Sequence, residues 1–139
     1  MDTKSRYAQA RERGRRGEDA AERYLRGRGM RVLARNWRQG GLELDIVCRE
    51  GDTLVFVEVK TRDAASLARP DEALTPRKRA ALLRAARAWL AAHEAWEQPC
   101  RFDVVGVVCH ANSMTVEHIC HAFDADTPVG GGHTAWQPW

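Results

Sequence analysis

Apolar residues recur at helical spacing over 14–28, GRRGEDAAERYLRGR, where Ala20, Ala21, Tyr24 and Leu25 gather on one side and Gly27 and Gly29 supply an end. Glu18 precedes Ala21 and Leu25 by three and seven positions, so it borders the buried stripe. Residues 30–37, MRVLARNW, predict a first strand, and Gln39-Gly40-Gly41 a turn. In 42–48, LELDIVC, alternation puts Leu42, Leu44, Ile46 and Cys48 on one face and Glu43, Asp45 and Val47 on the other. A short turn at Arg49-Glu50-Gly51-Asp52 leads into TLVFVEVK at 53–60. There Val55, Val57 and Val59 share a face, and Leu54, Phe56, Glu58 and Lys60 take the opposite one. The two runs predict a hairpin. If its loop leaves an even number of residues between paired ends, Asp45 lies on the face of Glu58 and Lys60; an odd loop or a bulge separates them.

Residues 61–74 read as loop, with a helical turn opening at Pro70-Asp71-Glu72. Thr75-Pro76 is a helix start, with Thr as N-cap and Pro where its missing N–H costs nothing. This helix is expected to reach His93 or Trp96, with Leu82, Leu83, Ala86, Trp89, Leu90 and Trp96 inward and Arg77, Arg84 and Arg87 outward. Two further strands are expected at 102–108 and 114–120, joined by Ala111-Asn112-Ser113. The order helix, three strands, helix, two strands indicates an α/β or α+β domain built on a mixed sheet. It is expected over 14–123, after a flexible basic extension at 1–13 and before a loose, Gly- and Pro-containing tail at 124–139.

Composition narrows the setting. Within 139 residues no apolar run approaches the roughly 20 that span a bilayer, and the first residues lack the apolar stretch of a secretory signal, so a cytoplasmic protein without a membrane partner is expected. The net charge of +3 conceals an uneven distribution: residues 1–40 hold 12 Lys/Arg against 5 Asp/Glu, and neither Lys nor Arg occurs after Arg101. A basic amino-terminal segment suits a polyanion, because Lys and Arg that neutralise phosphates release condensed counterions. Arg15 and Arg16 in that segment, Arg62 after the second hairpin strand and Lys78 at the apolar edge of the later helix are the candidate phosphate contacts. The cysteines at 48, 100, 109 and 120 form no CxxC pair and are expected as reduced thiols. Cys109, His118, Cys120 and His121 offer zinc-type donors, but alternation sends His118 and Cys120 to one side and His121 to the other, which argues against zinc.

The chemistry concentrates on the hairpin. Glu58 and Lys60 interrupt a valine-dense run, where charged side chains need partners or a function. Carboxylates within reach of each other repel unless a cation neutralises them, and oxygen donors without thiolate or imidazole favour Mg²⁺ or Mn²⁺. Asp45 and Glu58 are the candidate ligands, joined by the Val59 backbone carbonyl and, through a water, Glu18. Lys60 is placed to orient an attacking water or offset transition-state charge. Glu43 is an alternative ligand, or else a cross-strand partner of Lys60. Asp103 reads as structural, paired with Arg101 or a neighbouring strand.

GRRGE at 14–18, ARNWR at 34–38, ELDIV at 43–47, LVFVEVKTR at 54–62, PDEALTPRKRAALLRAARAWL at 70–90 and RFDVV at 101–105 together resemble the YraN-like bacterial proteins. That family is grouped with the PD-(D/E)xK nuclease superfamily and is similar to archaeal Holliday-junction resolvases. The resemblance spans about residues 14–108. It implies a restriction-endonuclease-like mixed sheet of about five strands flanked by helices, and Glu18, Asp45, Glu58 and Lys60 as catalytic quartet. Leu42 departs from a glycine frequent in that family. The expected function is Mg²⁺- or Mn²⁺-dependent endonuclease action on DNA, including branched or structured DNA, with a homodimer implied by the resolvases. Two other readings fit the same residues: a nucleic-acid-binding protein of this fold without cleavage, and a metal-free interaction domain.

Overall fold

A computed structural model of the chain describes residues 2–65 and 74–124. The elements are α1 (Thr3–Gly27), β1 (Arg31–Gln39), β2 (Leu42–Glu50), β3 (Thr53–Asp63), α2 (Pro76–Ala92), β4 (Cys100–Cys109) and β5 (Met114–Phe123). They form one five-stranded sheet in the order β1-β2-β3-β4-β5, with β3 and β4 parallel and the other pairs antiparallel. α2 is the crossover that a parallel pair requires. One helix covers each face, giving the mixed α/β arrangement expected. α1 buries Ala20, Ala21 and Leu25 against Ile46, Cys48, Val55, Val57, Val105 and Val107. α2 buries Leu82, Trp89 and Leu90 against Val47, Leu54, Phe56, Phe102 and Val104. Because β3 and β4 are covered on both faces, Leu54 to Val57 and Phe102 to Val105 carry apolar residues without a break, save Asp103.

Two expectations change. The first helix starts at Thr3, not near residue 14, so residues 3–13 are its opening turns. Asp2 is its N-cap, its carboxylate accepting from Ser5 N–H at 2.7 Å, and Arg13 ties the turns to Asp63 of β3 at 2.8 Å. The second concerns β2. Leu42 and Leu44 pack on the α2 side, whereas Ile46 and Cys48 belong to the α1 side, so the strand does not hold one apolar face. The flip occurs at Asp45. Across the ladder, Arg35 pairs with Ile46 and Trp37 with Leu44; Asn36 between them sits at φ 53°, a left-handed conformation that Asn tolerates better than most residues. Both strands thus reverse facing at one point. The helical turn expected at Pro70-Asp71-Glu72 and the tail at 125–139 lie outside the described residues.

Candidate active site

The turn between β2 and β3 fixes the geometry. Glu50 pairs with Thr53, leaving Gly51 and Asp52 as a two-residue loop, with Gly51 at φ 59°. The even count places Asp45 on the face of Leu54, Phe56, Glu58 and Lys60, as the alternation required. The β2–β3 ladder runs only to Ile46–Val57; beyond it the Val59 N–H donates to Asp45 Oδ2 at 2.8 Å. Since a strand residue directs its N–H and C=O to the same side, the Val59 carbonyl shares this gap.

Four side chains meet here. Glu58 is only 6% exposed, and both lysine ammonium groups approach its Oε2: Lys60 from the same strand at 3.7 Å and Lys78 from α2 at 3.1 Å. Lys78 arrives because Thr75 Oγ1 accepts its backbone N–H at 3.1 Å, locking the first turn of α2 over the end of the core. Burial, then the hydrogen bond and negative charge of Glu58, push the Asp45 carboxyl up to about 7, against the opposing pull of the Val59 N–H and Lys78. Burial pulls the Lys78 ammonium down, but Glu58, with Asp45 and Glu43 behind it, outweighs it and the net direction is up.

Glu18 is held apart from this group. Gly17 lets α1 lie against β3, where any Cβ would collide with the Thr61 hydroxyl. Arg35 then clamps α1 to β1, reaching Asp19 at 2.7 Å, Glu22 at 3.3 Å, Glu18 at 3.6 Å and the Arg15 carbonyl at 3.4 Å. Asn36 Nδ2 donates to Glu18 Oε1 at 3.2 Å, and Asn36 stands beside Asp45 in the ladder. Glu18 is therefore linked to the acidic pair through one intervening residue. Glu43 forms its ion pair with Arg38 at 3.3 Å, its cross-strand neighbour, and not with Lys60. Arg15 lines a groove with Arg11, Gly14, Glu18, Asn36 and Arg38, whereas Arg16 faces the β4–β5 turn on the other side of α1. Arg62 extends the row of Glu58 and Lys60 along β3.

A second polar cluster lies on the α1 face, of which sequence reasoning reached the Arg101–Asp103 pair and the shared side of His118 and Cys120 but not their meeting. Between Phe102 and Val104 the β4–β5 register shifts, and β5 bulges at His121, φ 52°. Asp103, 1% exposed, fills the bulge. It accepts from Arg101 Nε and Nη2 at 3.0 and 3.2 Å, from the His121 N–H at 3.1 Å, and pairs with His118 Nε2 at 2.8 Å. Burial pushes its carboxyl up, but His118, Arg101 and the His121 N–H outweigh it, and the net direction is down. His118 Nδ1 lies 3.3 Å from Tyr24 Oη, which accepts from Arg28 at 2.7 Å, and Arg101 also donates to Glu50 at 2.7 Å. Cys120 Sγ is 3.6 Å from His118 Nε2, so Asp103, His118 and Cys120 form a metal-like trio. Every lone-pair site on Asp103 is already occupied, however, and Arg101 supplies the countercharge. As expected from alternation, His118 and Cys120 share a side.

A family model described as "Uncharacterised protein family UPF0102" matches residues 17–107. The chain belongs to UPF0102. It is 58% identical to a UPF0102 protein of Nitratidesulfovibrio vulgaris (strain DP4) over 91% of this chain and 94% of the relative. A UPF0102 protein of Lawsonia intracellularis is 40% identical over 91% and 96%, and one of Beutenbergia cavernae 48% identical over 74% and 88%. The matched span opens on Gly17 and Glu18 and includes Asp45, Glu58, Lys60 and Lys78. Both the helix-to-sheet contact and the acidic pair thus lie inside the UPF0102 region. Among the described residues no helix is long and apolar enough to cross a membrane.

Proposed function

We propose that this UPF0102 protein is a divalent-cation-dependent nuclease that hydrolyses DNA phosphodiester bonds. The observation that carries the reading is an acid pair, the half-buried Asp45 and the buried Glu58, held at a strand divergence with Lys60 and Lys78 beside it. A buried carboxylate whose neighbour is another carboxylate is costly unless cations offset the pair. The donor set fits Mg²⁺ or Mn²⁺: two carboxylates and the Val59 carbonyl are hard oxygens converging on one gap. The resemblance to PD-(D/E)xK nucleases, which places Glu18, Asp45, Glu58 and Lys60 in one constellation, supports the same reading.

When bound, the cation supplies Lewis-acid polarisation of the scissile phosphate. Asp45 and Glu58 would hold it, and Asp45, steered by the Val59 N–H, is fixed in orientation before any ligand arrives. Lys60 lies two residues beyond Glu58 on the same face, where its ammonium orients the attacking water or offsets charge on the pentavalent transition state. Glu18 acts from the β1 side through Asn36 and a water.

The test is incubation of purified protein with duplex, single-stranded and junction DNA in Mg²⁺, Mn²⁺ or EDTA. Metal-dependent cleavage is expected, lowered at least about 100-fold by Lys60→Ala and further by Asp45→Asn. Cleavage equal in wild type and both variants, or none on any substrate, overturns the reading.

A further inference from the structure

α1 and β1 flank a shallow, open groove of about 460 Å³ lined by Arg11, Gly14, Arg15, Glu18, Asn36 and Arg38. Residues 11, 14, 15 and 18 form one helical stripe, so the groove runs along α1 and ends at Glu18 and Asn36, beside Asp45. Arg35, which precedes Asn36 on β1, is already committed to three carboxylates. Among the described residues Arg15 and Arg38 have only solvent-exposed ion pairs, to Glu12 and Glu43, which a phosphate can displace at little cost.

Gly14 is the second observation. A glycine inside a helix lowers helix stability, and here neither packing nor backbone conformation asks for one: an added Cβ would meet nothing within 4 Å, and φ is not positive. Gly17, three residues on, is the opposite case, with Thr61 against it. The bare backbone at Gly14 is explained if something outside the chain comes close to it.

We infer that the α1–β1 groove is a binding subsite for the phosphodiester backbone of a nucleic-acid strand, with Arg11, Arg15 and Arg38 on its phosphates and Gly14 as the floor that admits it. The subsite leads the strand to the carboxylates, and in that respect it rests on the nuclease reading. It also divides the basic residues of the amino-terminal segment: those on this stripe contact the strand, and Arg16, on the far side of α1, does not.

The experiment is fluorescence anisotropy of a labelled DNA duplex in EDTA, where no cleavage occurs, across a KCl series. Arg11→Ala/Arg15→Ala/Arg38→Ala is expected to flatten the log–log salt slope by about 2–3, one phosphate lost per arginine. Arg77→Ala/Arg84→Ala on the exposed side of α2 is expected to leave it unchanged. Gly14→Leu is expected to raise the melting temperature, because leucine favours the helix, yet to weaken binding about tenfold with little change in slope. A triple variant with the wild-type slope, Gly14→Leu with wild-type affinity, or a wild type that does not bind overturns the inference. Groove-dependent binding without cleavage under Mg²⁺ or Mn²⁺ upholds it and overturns the nuclease reading; cleavage with a slope indifferent to the three arginines does the reverse.

Discussion

Asp45 and Asp103 are both strand aspartates drawn out of water, and the sheet treats them in opposite ways. On the α1 face Asp103 receives two guanidinium donors, one backbone N–H and one imidazole, and its carboxyl is held down. On the α2 face Asp45 receives one backbone N–H and the pull of Lys78, which burial and a neighbouring acid outweigh, and its carboxyl is pushed up to about 7. Burial acts in the same direction on both. The partners decide the outcome, and the contrast separates a charge that serves the fold from one the fold tolerates.

The largest effect expected from this contrast is at Asp103. Asp103→Ala leaves Arg101, whose side chain is 11% exposed, with Glu50 as its remaining carboxylate and strips His118 and the His121 N–H of their buried partner, and should cost about 3–5 kcal/mol in urea unfolding at pH 7. A loss below about 1 kcal/mol would break the comparison at its structural end. The sign reverses at Asp45. Its folded pKa lies above that of an unfolded aspartate, so the folded state binds more protons between about pH 4 and 7 and the residue's contribution to stability falls as pH rises through that window. Asp45→Asn, which keeps an oxygen for the Val59 N–H, should therefore stabilise the protein by on the order of 2 kcal/mol at pH 8. The gain should vanish below about pH 4, as pH-resolved urea unfolding would show. The same variant is expected to lose cleavage. Asp103 behaves conversely: its contribution is present at neutral pH and is lost as pH falls below the range of unfolded aspartate.

A smaller effect tests the lysine between the two behaviours. Lys78 neutralises Glu58 in the protein alone, so Lys78→Met should tighten Mn²⁺ binding about tenfold in calorimetry by removing a competing cation. Unchanged or weaker binding would mean that Lys78 supports the cation site instead of competing for it.

The Asp45 end of this comparison was legible in the sequence and the Asp103 end largely was not. Alternation in TLVFVEVK and a loop of even length bring Asp45, Glu58 and Lys60 together over a span of sixteen residues, where local rules reach. The network of Tyr24, Glu50, Arg101, Asp103 and His118 gathers residues from four elements around a bulge, and no local pattern announces it. Where local reasoning failed, the cause is specific. Strict alternation in LELDIVC assumed a regular neighbour, but the left-handed Asn36 lies across from Asp45 and turns both strands over. Helix α1 extends eleven residues before the predicted start because 3–13 carry few apolar residues to mark a helical stripe; the local signal there is Asp2, an N-cap carboxylate three residues before Ser5. Lys78, the candidate phosphate contact on the apolar edge of α2, also reaches Glu58 at 3.1 Å, a contact set by tertiary packing that no local pattern announces.

The bulge that seats Asp103 has a consequence for how the protein behaves in a crowd. β1 and β5 are the two edges of the sheet, and each is irregular: β5 at His121, β1 at the register shift after Val32 and again at Asn36. The interior strands β2 and β3, by contrast, share a ladder without a shift. A straight edge offers a row of unpaired N–H and C=O groups that templates pairing with another chain, and a bent one does not. The residues that hold a buried carboxylate on one edge and turn a strand over on the other therefore also blunt both margins against edge-to-edge aggregation.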